Sequence, residues 1–310
     1  MVQIKHTALA CILVIALAGG CSPDGVPEKR TETLQLVAPV RLVQSPLVEA
    51  ARRCDPDSFR STLQNLSPER INAQVQGGET ALTHAVWFRQ TDCVRMLLNA
   101  GARVNTRTDG KETALHYSLY RGSMEITILL LENGADPRAQ EAENGYTVLM
   151  IASGLGRHNA VRALLMPGAD STVQDYQGRT ALMHAIRGAH NESAALLIRS
   201  PTLELRDTHK ETALYYAIRA GDQETFESIL AAGADPNARN ELHESPLMLA
   251  ASRGNREMIR TLLAYGAQPN LLDATGNYDA RRIARVSGFE DISSLLDSPF
   301  EIWMIRLLGK

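Results

Sequence analysis

Ser245-Pro246-Leu247-Met248-Leu249-Ala250-Ala251-Ser252-Arg253-Gly254, followed by Arg256-Glu257-Met258-Ile259-Arg260-Thr261-Leu262-Leu263, reads as two short helices joined by a turn. Apolar residues recur at helical spacing in both halves, and Gly254 marks the break between them. The same unit returns along the chain. Thr-Ala-Leu opens it at Thr80, Thr113, Thr180 and Thr212, while Thr147-Val148-Leu149 and Ser245-Pro246-Leu247 fill the same slot elsewhere. Successive openings are 33, 34, 33, 32 and 33 residues apart. A fixed period of this size identifies a repeat array, in which each unit buries its apolar face against its neighbours.

These units resemble the ankyrin repeat, from about Leu47 to Leu296. Leu130-Leu131-Glu132-Asn133-Gly134-Ala135-Asp136-Pro137 and Leu230-Ala231-Ala232-Gly233-Ala234-Asp235-Pro236-Asn237 match the family's helix end closely. The resemblance implies an all-α fold, an ankyrin-repeat solenoid of helix-turn-helix units with finger loops and degenerate capping repeats. In physical terms, the Thr slot caps the first helix and the following Leu enters the core. Gly134 and Gly233 supply the left-handed residue that stops the second helix. The family's His after that Leu survives only as His116; Thr83, Met150, Met183, Tyr215 and Met248 replace it, which predicts softer loops. An extra residue within 141–145 and the loss of Gly-Ala-Asp at 199–206 predict local changes in the stack.

The expected organisation is a lipoprotein signal peptide at 1–20, a lipid-anchored flexible tether at 21–45, about six full repeats plus caps at 46–297, and a C-terminal amphipathic helix at 298–310. The apolar stretch from Ala8 to Ala18 is too short to span a bilayer. Leu17-Ala18-Gly19-Gly20-Cys21 resembles the bacterial lipobox, which makes Cys21 the lipidation site, although Ala18 stands where that pattern prefers Leu. Ser22 after the cleavage point implies an outer-membrane lipoprotein facing the periplasm. An ordinary signal peptide, cut before a soluble periplasmic protein, is the competing reading. At the other end Ser298-Pro299 starts a helix whose Phe300, Trp303, Met304, Leu307 and Leu308 either seal the last repeat or touch a partner or membrane.

Cys11 and Cys21 belong to the leader, which leaves Cys54 and Cys93. The register puts Cys54 in an inter-helix turn and Cys93 in the second helix of the next repeat, awkward for a bridge, so two unpaired and partly buried thiols are expected, with a disulfide formed in an oxidising periplasm as the alternative.

Thirty-two Lys and Arg against 35 Asp and Glu give a net charge of -3, with 44% of residues hydrophobic. No basic footprint for nucleic acid exists. The sequence lacks a nucleophile elbow, a Walker loop, a Cys-x-x-Cys and a His-Glu-x-x-His, and its eight His are scattered. No cofactor, metal or catalytic residue is assigned, and the chain is expected to be a monomer that binds a protein. In ankyrin repeats partner contacts come from finger tips and exposed first-helix positions lining a concave surface. Carried onto this chain, these are Trp87, Phe88, Tyr120, Arg121, Tyr146, Leu155, Tyr176, Arg187, Arg219 and Arg253. Aromatic residues and Arg dominate interface hot spots, and Trp87-Phe88 stands out because those slots are usually polar. The lipobox, tether and repeats together resemble immunity lipoproteins that occlude a toxin or effector such as a secreted phospholipase. A periplasmic scaffold that stabilises an endogenous enzyme, for instance in oxidative defence, is the alternative.

Overall fold

The computed structural model describes residues 45–308, so the expected leader, the lipidation site Cys21 and nearly all of the tether lie outside the described residues. The chain divides into two units, the first ending at Ala135 and the second beginning at Asp136.

In the first unit three helix pairs stand side by side. The inner row is α1 (Pro46–Arg53), α4 (Ala81–Trp87) and α6 (Ala114–Arg121); the outer row is α2 (Pro56–Gln64), α5 (Thr91–Asn99) and α7 (Met124–Glu132), with one turn, α3 (Pro68–Ile71), between the first two repeats. Each helix is too short to persist alone in water, so packing of the apolar stripes holds the array. Leu47, Phe59, Leu82, Val94, Leu97, Leu115, Ile126 and Leu130 are all buried. Burial of each such side chain contributes about 1.5–3 kcal/mol.

Cys54 and Cys93 are joined by a disulfide, with their Cα atoms 6.0 Å apart, which corrects the expectation of free thiols. The register was right, but its consequence was not. Inner helix packs on inner helix and outer on outer, which lays the α1–α2 turn beside the first turn of α5, where Cys93 sits. Cys54 is the C-cap of α1 in the left-handed conformation (φ 43°), and that bend carries its side chain across.

In the second unit the inner row is α8 (Val148–Gly154), α10 (Ala181–Arg187), α13 (Ala213–Ala220), α15 (Pro246–Ser252) and α17 (Ala280–Val286). Behind it stand α9 (His158–Leu165), α11 (Asn191–Leu197), α14 (Gln223–Ala231), α16 (Arg256–Ala264) and α18 (Glu290–Asp297). The shortened repeat is closed by one turn, α12 (Ser200–Leu203), in which the Thr202 hydroxyl donates toward the carbonyls of Leu197 and Arg199 and Leu203 enters the core. No strand occurs among the described residues, only an isolated bridge between Gln140 and Thr147.

Most opening residues cap as expected, but the side chain of Thr212 makes no cap bond. Thr147, Thr180 and Ser245 accept from the backbone N–H three residues on, and Asp279 does the same for α17. At several positions where the family's His is missing, the substitute makes a hydrogen bond of its own. Thr83 Oγ1 accepts from Thr80 N–H at 2.8 Å, and the sulfurs of Met150 and Met248 accept from Thr147 and Ser245 N–H. The Tyr215 hydroxyl lies between the carbonyls of Ala238 and Glu244, so it ties the helix to the next loop. Three substitutes thus accept the N–H that His116 accepts in its own repeat, and Tyr215 bonds the next loop instead.

At the C-terminal end Ile292, Leu295 and Leu296 close the core, as expected for the capping repeat. Beyond them lies α19 (Pro299–Leu308), capped by Ser298 Oγ accepting from Glu301 N–H. It rests against α16 and α18, yet none of its residues is buried.

Candidate functional site

Each finger is a short loop that precedes an inner helix, and one backbone bond closes it. Val75, Thr108, Asp175, Asp207 and Asn240 donate their N–H to the carbonyls of Glu79, Glu112, Arg179, Glu211 and Glu244, four residues on. At three of these positions the side chain works as well. One carboxylate or amide oxygen of Asp175, Asp207 and Asn240 accepts two N–H groups of its own loop, a local turn that competes well with water. Where the loop is a residue longer, Glu141 reaches in and accepts from the N–H groups of Glu143, Asn144 and Tyr146. The buried Glu141 therefore absorbs the insertion.

Neighbouring fingers are stitched by backbone bonds. In the second unit Tyr176 donates to Asn144, Thr208 to Gln177, Glu241 to His209 and Ala274 to Leu242; in the first, Asp109 donates to Gly77. The stitch requires close approach: a Cβ on Gly145 (φ 75°) would lie 2.7 Å from the Tyr176 ring.

Side chains on the inner helices then tie to the fingers. His84 contacts Glu79, Tyr117 donates to Glu112, His184 bonds Asp175 and Tyr216 donates to Asp207. The densest knot joins Asp175, Arg179, His184 and Tyr146, with Arg179 Nε at 2.8 Å and His184 Nε2 at 2.9 Å from one Asp175 oxygen. Burial alone would raise the Asp175 pKa, but the His184 bond, its backbone bonds and the adjacent Arg179 charge outweigh it and hold the carboxyl below its ordinary value. Burial dominates at His184, with the Arg179 and Arg187 charges acting in the same sense, and keeps the imidazole below its usual range. Tyr117 and Tyr216 are pushed up, first by burial and then by the carboxylates they face. These carboxylates are consumed in holding fingers. Among the described residues no group of three His, Cys, Asp or Glu is arranged to hold a metal ion.

The residues expected to bind a partner fall into three situations. Tyr176 projects at the finger row, 63% exposed, Arg253 is exposed at the end of α15, and Arg187, exposed at the end of α10, acts through its charge on His184. Others are exposed but engaged. Arg219 pairs with the buried Glu211, and Arg121 donates to the Trp87 carbonyl while its guanidinium lies 4.8 Å above the Trp87 ring. Trp87 meets Tyr117 edge-on as well, and Arg52 covers Phe88 at 5.1 Å, so the pair does not simply stand in water. Trp87 is half-buried and Phe88 37% exposed. Tyr120 and Leu155 are half-buried at the ends of inner helices. Tyr146 is withdrawn from the tip: its hydroxyl accepts from Arg179 and its ring packs on His184.

The pattern of short inner helices, outer helices and stitched fingers is matched by family models for ankyrin repeats. One model, for three copies, matches residues 104–175, 149–240 and 204–273, and another, for many copies, matches 47–98. The chain is an ankyrin-repeat protein. Among curated proteins, human ankyrin repeat and SOCS box protein 16 is 30% identical over 144 residues, 46% of this chain and 31% of that one. The chain therefore spans well under half the length of the curated relative it matches. Among solved structures, the ankyrin repeat domain of Bcl-3, described as a unique member of the IkappaB protein family, superposes with a TM-score of 0.64 at 25% identity. That match covers 72% of this chain and all of the other. Ankyrin repeats indicate a protein-binding scaffold.

The structure adds one finger residue that the sequence reading passed over. Leu242 is 56% exposed in the loop that also stitches to Ala274. An apolar residue at the middle of a loop between Asn240 and Glu244 was the available signal. Leu is not among the aromatic and Arg types that dominate interface hot spots.

Proposed function

We propose that this ankyrin-repeat chain is an exported lipoprotein on the periplasmic side of the outer membrane, and that its fingers and inner helices occlude a protein toxin, most specifically an antibacterial effector such as a secreted phospholipase. The Cys54–Cys93 disulfide is the observation that carries export, because such bonds persist in oxidising compartments and are rare where thiols are kept reduced. Rigidity supports inhibition. A face whose tips are bonded to one another and to the helices behind them loses little entropy on binding, which favours a tight steric block over a loose contact.

The test has two stages. The chain is captured from solubilised envelope and its partner identified by mass spectrometry, after which the purified partner's activity is measured with and without the chain. A toxin that is silenced by stoichiometric addition supports the reading. An endogenous enzyme that is captured and remains active overturns it in favour of a stabilising scaffold.

A further inference from the structure

The last helix, α19, is almost wholly apolar, and Glu301 and Arg306 are its only charged side chains. One edge is docked. Ile302 and Ile305 are half-buried there, as is Met304 on the line between Phe300 and Leu308, and Arg306 donates to the Ala267 carbonyl at 2.9 Å. The opposite edge carries Phe300, Trp303, Leu307 and Leu308, exposed by 67, 56, 59 and 70%. Their spacing of three, four and one residues places them along one stripe of the helix. The Phe300 and Trp303 rings lie 6.2 Å apart at its start. Contiguous apolar surface of this kind is rare on a soluble fold unless something covers it.

The size of the stripe argues for what that is. A whole aromatic side chain offers about 150–250 Å², so these four partly exposed side chains present roughly 500 Å² at most, against about 800 Å² per partner for a stable interface between copies. At ten residues the helix is about 15 Å long, half the depth of a bilayer core, and no described helix is long and apolar enough to cross one. It matches instead a helix lying in the interface, where Trp and Phe settle at headgroup depth and Leu at the acyl boundary. The lipid anchor proposed above, at Cys21, lies 24 residues before the first described residue, Ser45, and would hold the domain beside a bilayer; the inference rests on that reading.

We propose that α19 is a membrane-surface helix, and that Phe300, Trp303, Leu307 and Leu308 enter the headgroup and acyl boundary of a phospholipid bilayer. This surface is separate from the fingers and inner helices. The contact orients the second unit on the bilayer and stands independently of any protein partner.

Trp87 and Trp303 are the chain's two tryptophans, which supplies the probe. The full chain carrying Trp87→Phe, processed as the expressing cell leaves it, is reconstituted into vesicles of phosphatidylethanolamine and phosphatidylglycerol containing bromine-labelled phosphatidylcholine. Emission from Trp303 is expected to shift to shorter wavelength and to be quenched several-fold relative to unlabelled vesicles. Adding Phe300→Asp and Leu307→Asp is expected to abolish the quenching while the circular-dichroism melt stays in place. Unquenched Trp303 emission overturns the proposal, as does quenching that survives the two Asp substitutions. A blue shift that grows with protein concentration in the absence of vesicles assigns the stripe to a second copy and overturns it too.

Discussion

The two ends of this protein solve one problem in different ways. A repeat array leaves an open apolar face at each terminus. At the N-terminal end α1 and α2 bury Leu47, Ala51 and Phe59, and a disulfide fastens their turn to the next repeat. At the C-terminal end α18 buries Ile292, Leu295 and Leu296, and α19 is then laid on without burying a single residue. One cap is covalently fixed. The other carries more apolar surface than its own closure needs, so the surplus belongs to an outside surface rather than to the fold.

A central repeat sets the scale for testing that contrast. Leu182 is fully buried, and Leu182→Ala should cost about 3–5 kcal/mol in urea unfolding. A loss below about 1 kcal/mol would contradict that burial. Opening the N-terminal staple comes next. With the cysteines 39 positions apart in sequence, loop-closure entropy predicts that Cys54→Ala with Cys93→Ala destabilises the protein by about 4 kcal/mol. Comparison of oxidised and reduced wild type by denaturant unfolding checks the figure, and equal midpoints would make the caps equivalent.

Within the first unit, Trp87→Ala with Phe88→Ala should weaken partner binding by about 2 kcal/mol or more once the partner is known, measured by calorimetry. The stacked Arg52 and Arg121 lose their platforms too, so part of the effect will appear in stability. A large stability loss with unchanged affinity would assign the pair to packing alone.

A pH effect should arise in the second unit. His184 faces Asp175, Arg179, Tyr146 and Arg187, and its folded pKa lies below the ordinary 6.5. The unfolded chain then binds the proton more readily, so stability is present above the unfolded pKa and falls as pH drops below it. Thermal melts between pH 7.5 and about 5.5 should show this decline, and His184→Asn should flatten it. The smallest effect is expected at the other cap: ending the chain at Ser298 should shift stability by less than about 1 kcal/mol, since α19 buries nothing fully. A loss comparable to that of the disulfide variant would make α19 part of the closure.

Much of the fold was legible in the residues because the repeat states each instruction several times. Thr at the cap, Leu two residues later and Gly at the helix end recur in phase, and the structure uses them so, apart from Thr212, whose side chain makes no cap bond. The finger mechanics were less legible. Asp136, Asp170 and Asp235 recur at one repeat position, and each accepts from an N–H two residues on. Tyr215 and the bond from His184 to Asp175 gave no such sign, since those partners are brought near by folding rather than by a motif.

The sequence by itself determined the period, the helix boundaries and the buried face, because helix caps, turns and apolar spacing act between residues a few positions apart. Only the tertiary structure decided that Cys54 meets Cys93, that Tyr146 turns inward while Tyr176 turns out, and that α19 keeps an open stripe. Each of these depends on which helix lies beside which, and on burial that a one-dimensional register does not measure.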